Sequence, residues 1–183
     1  MRSERIGCLL IGEVRETRLE ALAETLGAKN VLTGVVTGGE DLLLRAQEGL
    51  CRVRPGSDAV CVVAEGAMWP VALALSVQLG VDRIVLIEPA LQLKYSEENM
   101  ERQIERLKAY VRRNLFFCVS EVLIAGSGET DARCRRKIEA VWRRLSSAKL
   151  HRTEKTWTNC EYFINSEIVS FLLAGEFAKL LAK

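Results

Sequence analysis

Runs of apolar, largely β-branched residues recur along the chain and alternate with stretches whose apolar positions follow a helical period. The runs are Ile6–Ile11, Val31–Val36, Ala59–Ala64, Arg83–Ile87, Val122–Ala125 and a weaker one at Lys149–Thr153. They predict six strands. Between them, the spacing predicts helices at about 14–27, 40–51, 67–79, 96–116, 131–146 and 162–182. Segments such as CVV and IVLI are apolar without interruption, which suits strands covered on both faces. Strand and helix alternate throughout, so the pattern defines an α/β chain with a mainly parallel sheet. Gly27 and Gly80 stand where a helix stops and a strand begins, the place of a C-terminal cap.

Two helices carry particular patterns. The fourth places Met100, Ile104, Leu107, Val111 and Leu115 on one stripe, with mostly charged residues opposite. The third follows the stretch VCVVAEGAMWPVALALS, in which a buried strand enters a sharp turn and then a helix with small residues at Ala72 and Ala74. Pro70 fits the first turn of that helix, where its missing N–H goes unused. A helix beginning well before Gly66 would be broken by it. The tip of the turn is Gly66, a residue that takes a left-handed backbone at almost no steric cost.

The bulk numbers narrow the class. A chain of 183 residues fits one domain, residues 1–183, with a sizeable core. Net charge is only +2, from 26 basic and 24 acidic residues, so no whole-molecule attraction to nucleic acid is expected. Cys8, Cys51, Cys61, Cys118, Cys134 and Cys160 form no CxxC pair and no regular spacing, which points to a reducing cytoplasm and no zinc site. The first apolar run is too short for a signal peptide's core, and no stretch approaches the ~18 apolar residues of a membrane span. A cytoplasmic protein without membrane partners is expected.

DAVCVVAEGAMWPVALALSVQLGVDRIVLIEPAL, residues 58–91, resembles the α/β-hydrolase family. There a strand enters a nucleophile elbow of the form Gly-x-Ser-x-Gly, then a helix, then a strand ending in a form like LVLIDPAL. The resemblance implies a three-layer α/β/α sandwich, six mostly parallel strands in the order 2-1-3-4-5-6, and a short lid or none. It puts Gly66 at the nucleophile position, with Ala64 keeping a small residue and Met68 where a second glycine is usual. VLIAGSGETD resembles the family strand that ends before the catalytic acid, which places that acid at Asp131. The family's histidine is then expected in TWTNCEYF, which holds Thr158, Asn159 and Cys160 but no histidine, so Asn159 marks the vacant position. Of the triad the resemblance retains only the acid.

Several sites remain open. The chain's one histidine, His151, lies on the sixth strand by pattern, and Cys160 with His151 is the rival nucleophile–base pair. Glu88, after the fourth strand, is an alternative place for the acid in some relatives. Strand ends carry Glu13, Glu40, Glu65, Glu88, Glu129 and Asp131, which either converge on a crevice or separately favour helix N-termini. A small-molecule ligand at this edge is expected to meet Gly12, Glu13, Glu65, Ala67, Glu88 and Trp157. Trp69 and Trp157 either line such a pocket or pack internally. The loops Gly38-Gly39 and Gly126-Ser127-Gly128 complete no phosphate-binding motif, and no cofactor or metal is expected. Arg102, Arg106, Lys108, Arg112 and Arg113, then Arg133, Arg135, Arg136, Lys137, Arg143 and Arg144, form either a cover for the edge or a solvated face. The apolar C-terminal helix, with Ile168, Leu172, Phe177 and Leu181, packs on the sheet or on a second subunit, which leaves a homodimer open. Three functions follow: a non-catalytic binding protein on a hydrolase fold, an ester or acyl hydrolase with a rearranged site, or an oligomerising structural module.

Overall fold

The computed structural model describes residues 4–14, 17–94, 98–113, 121–126, 132–145, 149–153 and 166–174. Its strands are β1 (Ile6–Gly12), β2 (Leu32–Thr37), β3 (Ala59–Glu65), β4 (Arg83–Ile87), β5 (Glu121–Ala125) and β6 (Lys149–Thr153). Its helices are α1 (Thr17–Gly27), α2 (Leu42–Val53), α3 (Trp69–Leu79), α4 (Glu98–Arg113), α5 (Ala132–Leu145) and α6 (Ser166–Ala174). All neighbouring strands are parallel, and the order across the sheet is β2-β1-β3-β4-β5-β6. The predicted α/β class, six strands and strand order are therefore all found.

Period-two alternation divides the core. On one face Leu9, Ile11, Val60, Val62, Ala64, Ile84, Leu86, Val122 and Ile124 meet α2, α3, α4 and Ile138 of α5. On the other, Cys8, Leu10, Cys61, Val63, Val85, Ile87 and Leu123 meet α1 and α6. Because both faces are covered, the central strands β1 and β3 are buried at every residue. α3 is buried from Trp69 to Ser76, since it lies on the sheet and also against α2 and α4. Fully burying side chains such as Leu73 and Leu75 stabilises the fold by roughly 1.5–3 kcal/mol each. In α6, Ile168 and Leu172 are buried against the sheet, so this part of the C-terminal segment packs internally; Phe177 and Leu181 lie outside the described residues.

Local boundaries shift where backbone chemistry intervenes. Gly80 caps α3 with φ 71°, its N–H bonded to Ser76 O at 3.2 Å. Gly27 does not act in that way. It is the last residue of α1, and the left-handed position falls to Asn30 at φ 61°. α3 begins two residues later than the spacing predicts, because Gly66–Met68 form a separate 3₁₀ turn ahead of it. Pro70 then occupies the first turn of α3.

Candidate functional site

The carboxyl ends of the strands form the site, and register sets who meets whom. Ile11 pairs with Ala64, and Glu65 with Ile87. Continued past the strand ends, this register sets Glu13, Gly66 and Glu88, the residues that follow β1, β3 and β4, side by side. Gly38 joins this row from β2, its N–H donating to Glu13 O at 3.1 Å. A Cβ on Gly38 would come within 2.3 Å of that same oxygen and 2.4 Å of Met100 Sδ, so only glycine lets the two chain ends close up beneath α4. At the centre of the row, Gly66 has φ 58°. This is the left-handed turn expected at the tip of the elbow, and there any other residue would be strained.

The Glu13 side chain fills the space above Gly66. Its Oε1 accepts a hydrogen bond from Ala67 N–H at 3.1 Å. That oxygen lies 2.8 Å from the place a Cβ on Gly66 would take. Its Oε2 accepts from Lys94 N–H at 2.7 Å, and the side chain is buried. One carboxylate thus ties the end of β1 to the start of the 3₁₀ turn and to the loop after β4. Its negative charge suits the first turn of a helix, where backbone N–H groups lack partners of their own. In enzymes built on a nucleophile elbow, the N–H of the residue after the nucleophile helps hold the developing oxyanion. Here the corresponding N–H, that of Ala67, is taken by Glu13.

The loop after β4 closes over the turn from the other side. Ala90 N–H donates to Gly66 O at 3.0 Å, and Glu88, with φ 43°, donates its N–H to Ala125 O at 2.7 Å. Trp69 is buried, with Nε1 donating to Ala90 O at 2.8 Å, so of its two expected roles it takes internal packing. Glu65 is buried one row before that of Gly66, where Gly12 ends β1. Of the expected ligand contacts, Gly12, Glu13, Glu65, Ala67 and Glu88 are brought together. Trp157 lies outside the described residues, as do Glu129, Asp131, Asn159 and Cys160. Glu40 is exposed in the turn between β2 and α2. Among the described residues, no group of three or more His, Cys, Asp or Glu side chains is placed to hold a metal ion.

His151 is elsewhere. It pairs with Leu123 in the row that runs through Val85 and Val63, three strands across the sheet from the turn. Its ring makes an edge contact with Phe171 of α6 at 5.7 Å, and Nε2 stands 3.7 Å from Glu121 Oε2 at the start of β5. The described geometry does not carry it to Gly66. Two other thiols are equally remote from chemistry: burial pushes Cys8 well above the ordinary thiol value and Cys61 up to about 12.

Basic residues of α4 divide between solvent and interior. Arg102 pairs with Glu98 on the exposed side. Lys108, counted among the same charges, is instead buried, donating to Leu91 O at 2.5 Å and to Glu105 at 2.7 Å. Its position four residues after Ile104, in the apolar stripe, is the signal that separates it from its neighbours. A cavity of about 370 Å³ lies beside it, walled by Leu91, Leu93, Ile104, Glu101 and Glu105. The part played by Lys94 had no signal in the sequence, since it acts through its backbone N–H.

No family model matches the chain, and no curated protein matches it in sequence. Solved structures do match in fold. A protein assigned to the alpha/beta hydrolase superfamily from Xanthomonas campestris pv. campestris is 14% identical, with 99% of each chain covered and a TM-score of 0.51. A metagenome-derived lipolytic enzyme from the LipS and LipT pair is 11% identical, over 98% of this chain and 93% of that one, with a TM-score of 0.64. MenH from S. aureus is 8% identical, over 100% and 94%, with a TM-score of 0.51. The protein has the α/β-hydrolase fold. Among the described residues, no helix is long and apolar enough to cross a membrane.

Proposed function

We propose that this protein is a non-catalytic member of the α/β-hydrolase fold, binding a small molecule at the carboxyl edge of its sheet. The observation that supports this most is the Glu13 carboxylate above Gly66. The position assigned to the nucleophile has no side chain, and the neighbouring oxyanion donor is taken by an anion of the protein itself. An acyl substrate would have to displace a buried carboxylate held by two N–H groups before it reached the Ala67 N–H. The vacant histidine position at Asn159 points the same way. Ligands of parallel α/β sheets sit outside the strands' carboxyl ends. With the space over Gly66 filled, the ligand's place is the adjoining cavity between Leu91, Leu93 and Ile104, where Lys108 supplies the buried polar group.

Steady-state assays with 4-nitrophenyl esters of short and medium acyl chains test the absence of catalysis. The expected rate equals that of a buffer blank. Saturable turnover that disappears in Cys160→Ala or His151→Ala would replace this proposal with the rearranged hydrolase.

A further inference from the structure

Lysine is almost never fully buried unless something holds its charge, yet only 8% of the Lys108 side chain is exposed. Two groups hold its Nζ, Leu91 O at 2.5 Å and Glu105 Oε1 at 2.7 Å. An ammonium carries three N–H groups, so one remains, and it meets no acceptor among the described residues. Lys108 also helps to line the cavity of about 370 Å³ whose aliphatic walls are Leu91, Leu93 and Ile104. Glu101 and Glu105, one turn apart on α4, stand at the same cavity, and both are exposed. The volume is at the small end of ligand pockets, which hold ~300–1,000 Å³.

We infer, on the reading that this cavity holds the ligand, that the ligand is an uncharged aliphatic compound whose polar end is an oxygen acceptor, a ketone or alcohol and not an acid or an amine. Its oxygen takes the remaining N–H of Lys108, and its hydrocarbon lies on Leu91, Leu93 and Ile104. Lys108 rules out the plain hydrocarbon. Methylenes laid over the N–H would strip its water and return no acceptor, and leaving a buried donor unmet is costly. An amine whose head stays at the glutamates covers the N–H in the same way. A carboxylate does bring an acceptor, but it brings a charge as well. Glu105 already neutralises Lys108. A second carboxylate on that ammonium, with Glu101 one turn away, sets three negative charges about one positive. A ketone or hydroxyl oxygen accepts the bond and adds no charge.

Amide chemical-shift titration of the isotope-labelled full chain tests this with 2-octanone, octanoate and octylammonium, probes of one chain length and different charge. 2-Octanone is expected to shift the amides of residues 91–94 and 104–108 saturably. Octanoate and octylammonium should bind there at least about tenfold more weakly. Lys108→Met should weaken 2-octanone at least about fivefold. Glu101→Gln should strengthen octanoate and leave 2-octanone unchanged. This second variant alters an exposed side chain, so it decides the matter if Lys108→Met disturbs the loop. Octanoate or octylammonium binding here as tightly as 2-octanone, or octanoate unmoved by Glu101→Gln, would overturn the ligand class and leave binding at this cavity standing. No saturable shift with any of the probes would overturn both.

Discussion

Alanine at position 66 is expected to lower stability by roughly 1–3 kcal/mol, because the residue sits at φ 58° and its new Cβ would press on Glu13 Oε1. Chemical denaturation of Gly66→Ala measures this. Adding Glu13→Ala removes the contact but leaves the strain, so the pair should fall short of additivity. Glu13→Gln keeps the size but turns an NH₂ group toward one of two N–H donors that now meet oxygen. It should cost about 1–3 kcal/mol and speed hydrogen exchange at Lys94 and Ala67. Unchanged exchange at both amides would contradict the tie described here. Cys61 gives a separate signature in alkali. Its folded-state value, raised from 9.0 to about 12, means the unfolded chain loses this proton first as pH rises. Stability should therefore fall between those two pH values, and Cys61→Ala should flatten that slope in urea titrations at stepped pH.

Elements were legible where one physical cause dominated. Strands covered on both faces leave unbroken apolar runs, so β1, β3 and β4 could be read almost to the residue. The elbow was legible from Gly66 and Pro70, since few other residues suit a left-handed tip or a proline's place in a helix's first turn. What sat above the elbow was not. Glu13 was visible as a strand-end acid, but its partner N–H groups lie 54 and 81 residues away and come together only through sheet register. Asn30 took the left-handed turn expected of Gly27 because the chain continues two residues past α1 before reversing, and asparagine tolerates that backbone. Lys108 shows the reverse error of counting charge without phase. Lys108→Met should leave α4 folded while freeing Leu91 O, loosening the loop that Glu13 also holds. The check is faster exchange at the amides of residues 91–94, with those of α3 unchanged.

At the scale of the whole molecule, a hydrolase fold supplies a rigid sheet whose carboxyl ends converge, and what that edge does depends on the few side chains placed there. Here three chain ends meet on a carboxylate and a glycine. The solved structures that match share the architecture at 8–14% identity, so they speak for the fold and leave the chemistry to this chain's own residues. The central claim is that no nucleophile stands at the elbow. Intact-mass measurement of the wild-type protein after exposure to an alkyl fluorophosphonate tests it most directly. An unchanged mass is predicted. A stoichiometric adduct on the folded protein would contradict the account.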